Sequence, residues 1–323
     1  MDQLPARDPT RSHWHIWLKY KDQICPSLPD RRDLAPEIEF LDLIADSVHS
    51  YMFKVRIQET IYALKLHAVY SPYWPPSYSL ARVEDAVTEN DPFIAESRVY
   101  DCLAERGLEG QVGPKCYGWL TISREQEQAL DQRYNLTNGY TSTDQALVQK
   151  LNHMDGRPWL GFRQCPEEIE DPVRGLLLEY IDGTSIGKGT LNASGASSLR
   201  RQLDLLHSLD IAHGDLYPRN IMVSKAGDPY LIDFSSAQLW PCRGFQMKKG
   251  RFDGYMGCEK SALEYYLFQL QKLERHRDLD ISDAKSDEDA YGGEVSSFVA
   301  AFKEEFVDCD PVSALDFEAP KPS

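Results

Sequence analysis

The chain has 323 residues, 42% of them hydrophobic, enough apolar material for one two-lobed domain or two small ones, which excludes a disordered or fibrous protein. A formal charge of −16 with no local basic patch argues against a nucleic-acid partner. The seven cysteines are scattered and never spaced CxxC, against a disulfide framework or zinc site; with no signal-like leader and no run of about 18 apolar residues, a soluble cytoplasmic or nuclear protein without a membrane partner is expected.

Residues 1–35 are rich in Pro, Arg and Asp, show no lasting period, and read as an arm that packs onto the domain. From Ile38, three β-rich runs with brief polar breaks, IEFLDLIA, YMFKVRIQ and TIYALKLHAVY, predict an antiparallel meander. Residues 71–92 read as a loop. Phe93, Glu96, Val99, Tyr100 and Leu103 then recur at three and four, predicting a helix with Asp91 as cap and Pro92 in its first turn. A strand is expected near Tyr117–Ile122, and residues 123–172, polar apart from a helix-like QALVQKL, read as an insertion. Another strand, GLLLEYIDG, ends in an acidic turn; Leu199, Leu203 and Leu206 share a helix face, and Cys258–Leu273 is expected to be helical. From His276 onward, 13 Asp and Glu face 4 Lys and Arg. This acidic tail, with one amphipathic candidate in VSSFVAAFKEEF, is expected to be a solvated flank and a candidate protein-binding segment.

The densest chemistry lies in His213-Gly214-Asp215-Leu216-Tyr217-Pro218-Arg219-Asn220, followed by two β-rich runs, NIMV and YLI, and by Asp233-Phe234-Ser235. An Asp at a loop tip can accept a hydroxyl proton. An Asn five residues on can reach a metal held between it and a second carboxylate, delivered 18 residues later by the second strand of a ribbon.

These residues resemble the catalytic loop and magnesium segment of the protein-kinase superfamily, whose template is H-R-D-x-x-x-x-N followed by D-F-G. The resemblance spans about residues 38–275 and implies an α+β, two-lobed fold with a small antiparallel-sheet N-lobe and a reduced, mostly helical C-lobe. It divides the chain into an arm (1–35), an N-lobe (36–180) carrying the insertion 123–172, a C-lobe (181–275) and the acidic tail (276–323). It further implies ATP and Mg2+ as ligands. Lys65, in Ala-Leu-Lys on the third strand, resembles the phosphate-holding lysine, and Glu96 its partner. Glu179 and Ile181 resemble the adenine-binding hinge, Asn220 and Asp233 the metal ligands, and Asp215 the base. Arg219 offers the positive charge beside it, as in tyrosine-kinase loops. The acceptor is a hydroxyl of a protein or a small molecule.

Three departures stand out. The expected phosphate loop reads Ala45-Asp46-Ser47-Val48-His49-Ser50, without glycine, which makes close approach of backbone amides to phosphate harder. Gly214 replaces the arginine of H-R-D, as in aminoglycoside and choline phosphotransferases and atypical kinases of the Rio type, and Ser235 replaces the glycine of D-F-G. No A-P-E segment follows Asp233. The alternatives are a pseudokinase scaffold and a kinase-fold enzyme with non-phosphorylating chemistry. His213 is expected to orient the loop rather than transfer protons, Gly183, Gly187 and Gly189 to form a turn, and His13 and His15 to bind no metal.

Overall fold

The computed structural model describes residues 13–47, 50–67, 83–134, 136, 171–186, 191–242 and 248–279. The QALVQKL patch, the VSSFVAAFKEEF segment, Gly187 and Gly189 lie outside them. The fold is α+β and two-lobed.

The N-lobe is a five-stranded antiparallel sheet in the order β1-β2-β3-β5-β4, from β1 (Glu39–Asp46), β2 (Ser50–Ile57), β3 (Thr60–His67), β4 (Cys116–Ile122) and β5 (Val173–Glu179). Alternation along β2 and β3 places Lys65 and His67 on one face and Phe53, Leu64 and Leu66 on the other. Both edge strands take hydrogen bonds from outside the sheet. Arg133 donates to the carbonyls of Phe40 (2.8 Å) and Leu41 (3.2 Å) on β1. Beside β4, Trp119 N donates to Pro29 O (2.9 Å) and Arg31 N to Trp119 O (2.7 Å).

The residues read as an arm contain a helix, α1 (His13–Ile24), with buried Ile16 and Trp17. Trp17 meets Phe93 and Trp119 edge-on, at centroid distances of 4.9 and 5.4 Å. The spacing of His13, Ile16, Trp17, Tyr20 and Ile24 is helical, but exposed Leu18 on the opposite side blurs the period. Within the expected 71–92 loop, residues 83–90 form α2 (Val83–Asn90). α3 (Pro92–Glu105) begins as expected, Asp91 Oδ1 accepting from Phe93 N (2.9 Å) and Ile94 N (3.1 Å).

The start of the 123–172 segment is helical, α4 (Arg124–Tyr134). A reciprocal cap opens it: Gln126 N donates to Ser123 Oγ (3.3 Å), and Ser123 N to Gln126 Oε1 (2.9 Å). Leu130 of α4 packs with Phe53, Leu64, Leu66 and Leu177 on the outer face of the sheet.

The C-lobe comprises β6 (Gly183–Ser185), α5 (Ala193–Ser208), β7 (Ile211–Ala212), β8 (Ile221–Ser224), β9 (Pro229–Leu231), β10 (Gln238–Leu239) and the 31-residue α6 (Lys249–Leu279). Strands β6-β8-β9 form one sheet and β7 pairs with β10. Gly183 lies in β6 opposite Ser224, a turn-flanking strand position rather than a phosphate cradle. Among the described residues no helix is long and apolar enough to cross a membrane.

Candidate functional site

The 213–220 loop starts where β7 ends. His213 is fully buried; its Nε2 donates to Ile232 O (3.1 Å) and its Nδ1 accepts from Asp215 N (3.4 Å), so the ring orients the loop. Gly214 has φ +78°, and a Cβ there would lie 2.0 Å from Ser236 O. Backbone packing therefore excludes an arginine at this position, a physical reason for the departure from H-R-D. Gly214→Ala is expected to destabilise the fold by about 2 kcal/mol or more, measured by urea denaturation.

Asn220 Nδ2 donates to both Asp215 O and Asp215 Oδ2, each at 2.8 Å, closing the loop across its own tip. Arg219 Nη2 contacts both Asp215 carboxylate oxygens (2.7 and 2.8 Å), and its guanidinium stacks on Tyr217 at 4.4 Å. Burial pushes the Asp215 carboxyl above its ordinary range, with Arg219 and His213 opposing.

Across the cleft, Lys65 Nζ donates to Glu96 Oε2 and to Asp233 Oδ1, both at 2.6 Å. Lys65 is 3% exposed and Glu96 0%. Burial opposes the ammonium, yet the two carboxylates hold its pKa above the lysine range. One ammonium cannot neutralise both acids. Burial and the Asp233 charge push Glu96 up to about 7 against the pull of Lys65. Burial works against the ionised Asp233 too, but Lys65 and the 2.6 Å Ser235 hydroxyl hold it below the carboxylate range.

Asp233 adopts φ +64°, a left-handed conformation that a short polar side chain tolerates. The positive φ falls on Asp233 and not on Ser235, so the position after Phe234 needs no glycine. Phe234 is buried between Tyr100 (5.5 Å) and His213 (5.2 Å), and its N–H donates to Glu96 Oε1 (3.3 Å).

Five of these residues open onto one cleft of about 350 Å³ between the lobes. Ile44, Met52 and Ala63 meet it from the sheet, Met222 and Ile232 from the C-lobe, and Glu179, Tyr180 and Ile181 from the connecting strand end, an apolar slot beside a charged end. Glu179 Oε2 accepts from Lys115 N (3.1 Å) and the Glu179 N–H donates to Lys115 O (2.8 Å), so both are engaged within the protein. Lys65, Glu96, Asp233, Asn220 and Arg219 line the cleft, and Asp215 is joined to it through Asn220 and Arg219.

The turn between β1 and β2 differs most from a phosphate cradle. Ser47 N donates to Ser50 O (2.8 Å) and Ser50 N to Ser47 Oγ (3.1 Å), so both amides serve the turn itself. Asp46 lines the cleft beside them.

Two sets of supporting residues were not legible in sequence. On α6, Glu259 accepts from Gly214 N (2.7 Å), His213 N (3.1 Å) and His207 Nε2 (2.7 Å), fixing the loop's entry to the helix behind it. Beneath α3, Arg174 Nη2 donates to Asp91 Oδ2 (2.9 Å), which the His13 ring also contacts. His13 thus has a buried ion-pair environment, and no cluster of three or more His, Cys, Asp or Glu suited to a metal occurs among the described residues.

The model of a protein family described as kinetochore Sim4 complex subunit FTA2 matches residues 26–238. Serine/threonine-protein kinase GRIK2 of Arabidopsis thaliana is 33% identical over 95 residues, 26% of this chain and 23% of that protein. Mitogen-activated protein kinase kinase 7 of the same plant is 28% identical over 85 residues, 24% of this chain and 28% of that protein. The chain thus spans about a quarter of the length of these curated relatives. Together with the fold, these matches support a protein-kinase-like relationship.

Proposed function

We propose, from the premise that this chain belongs to the kinetochore Sim4 complex subunit FTA2 family, that it is a kinase-fold kinetochore protein of the nucleus whose cleft transfers the γ-phosphoryl group of ATP to a hydroxyl. One observation carries the proposal. Lys65 on β3, Glu96 on α3, Asp215 and Asn220 on one loop and Asp233 after β9, up to 168 residues apart, meet around a single cleft. A buried lysine between two acids and a carboxamide locked to a loop carboxylate are not needed to fold a sheet.

In this reading the apolar slot takes the adenine, with backbone groups of Glu179 and Ile181 at its edge, and Lys65 faces the α- and β-phosphates, aimed by Glu96. Asp215 accepts the proton of the acceptor hydroxyl as its oxygen bonds to the γ-phosphorus and the bond to the β-bridging oxygen breaks, releasing ADP. The donor set suits Mg2+, which takes one or two carboxylates plus phosphate and water oxygens rather than an all-protein cage. With Asn220 Nδ2 engaged by Asp215, its carbonyl oxygen is the end left for a cation, alongside the Asp233 carboxylate. Bound there, the ion would neutralise phosphate charge.

The test is transfer of labelled γ-phosphate from Mg·ATP to a metabolite pool and to kinetochore proteins, followed as a function of pH. Arg219 favours the ionised form of Asp215, so Arg219→Ala is expected to raise that pKa further and move the acid limb of the pH–rate profile upward. An unmoved limb would detach Asp215 from the proton transfer.

The second reading is a scaffold that keeps the shape without the reaction. The Ser47 and Ser50 amides, closed on each other, and Asp46 at the cleft favour it, because those two backbone donors are withheld from phosphate. Mg·ATP binding without transfer to any acceptor, or no binding at all, would support it.

A further inference from the structure

We propose that Arg174 and His13, acting through Asp91, are positioning residues that hold α3 against the sheet and so keep Glu96 on Lys65. The inference deepens the nucleotide reading of the cleft and rests on it. α3 meets the sheet through two ion pairs. Glu96 pairs with Lys65 of β3, and Asp91, five residues earlier at the helix cap, pairs with Arg174 of β5. All four side chains are at most 3% exposed. Lys65 and Arg174 belong to neighbouring strands, and His67, directly opposite Arg174, sits between the pairs with Nε2 at 3.4 Å from Glu96 Oε2. One pair would let the helix pivot, whereas two, about a turn and a half apart, fix both its height and its rotation.

The third contact comes from α1. The His13 ring reaches the Asp91 oxygen that Arg174 uses, while Trp17 packs on Phe93 in the first turn of α3. Phe93 also lies under the Arg174 guanidinium, at 4.8 Å. Swinging α3 outward would expose Asp91, strip Arg174 of its partner and open the Trp17 contact together. The Lys65–Glu96 pair is therefore held in place from within the chain, by α1.

The test uses the full chain. Asp91→Asn with Arg174→Met keeps a good cap and removes both buried charges, a change that folds often tolerate. The expected result is hydrogen exchange of the Ala95–Asp101 amides about tenfold faster than wild type and Mg·ATP binding weakened by a similar factor. His13→Ala, which leaves Asp91 and Arg174 paired, is expected to shift both readouts in the same direction, and His13→Asn, whose amide can donate to Asp91, to restore them. Wild-type exchange in the double variant and in His13→Ala would overturn the proposal. The exchange readout needs no nucleotide, so a wild-type protein that fails to bind Mg·ATP would remove the nucleotide reading and leave the positioning of α3 decided by exchange alone.

Discussion

Asp215→Asn is expected to lower phosphoryl transfer by about 100-fold or more, the usual worth of a positioned general base, while nucleotide binding persists. The amide cannot take the acceptor's proton, but its carbonyl can still accept from Asn220 and Arg219, the two side chains that now hold the carboxylate. Steady-state kinetics with Mg·ATP and the acceptor found by the transfer screen would show the loss in kcat, with the nucleotide KM little changed. Equal transfer by wild type and variant would remove Asp215 as the base and leave the cleft as a binding site.

Lys65→Met carries the largest expected stability effect. Lys65 is the ammonium that contacts both Glu96 and Asp233. Removing it strands two carboxylates, and breaking a buried pair in this way costs roughly 3–5 kcal/mol. Two close acids without a counter-ion share a proton, so the pair takes it up at a strongly raised pKa in the folded state. A carboxyl raised on folding contributes stability that is present at low pH and lost as pH climbs through its folded value. The variant should therefore be much weaker than wild type at about pH 8 and recover toward it at about pH 5. Adding Glu96→Gln, which removes one of the two charges, should restore part of the loss. Urea denaturation of the three proteins would measure this, and a Lys65→Met protein as stable as wild type at the higher pH would show that the triad is not coupled as described.

What could be read in sequence was local. The β2 and β3 strands and the capped start of α3 declare themselves through alternation, a three-four period and the Asp91-Pro92 pair, because those signals arise within a few residues. Asp215, Asn220 and Asp233 were visible for a related reason, since a loop and a two-stranded ribbon fix their separation along the chain. The Ser123–Gln126 cap was equally local and could have marked α4. The remainder was not visible because its partners are distant. Glu259 reaches the 213–214 amides from 45 residues away, and His13 reaches Asp91 from 78. Neither residue type nor spacing signals such contacts before the helices are placed. The missing phosphate-loop glycines were plain in sequence, but the closure of the Ser47 and Ser50 amides on each other needed coordinates.

The FTA2 family match and the cleft have different reach. The first attaches the chain to a kinetochore complex family; the second is the arrangement of polar side chains on which the phosphotransfer proposal rests. The central claim is that the polar groups facing this cleft are arranged for a metal-bound nucleotide.

Titrating the purified chain with ATP, with and without Mg2+, and following its melting temperature tests that claim most directly. A ligand that binds only the folded state at about 100 times its Kd adds about 2.7 kcal/mol, so a clear rise is predicted with Mg·ATP, a smaller one with ATP alone, and no added effect of Mg2+ for Asp233→Asn. A melting temperature that does not move at millimolar-range Mg·ATP would contradict it.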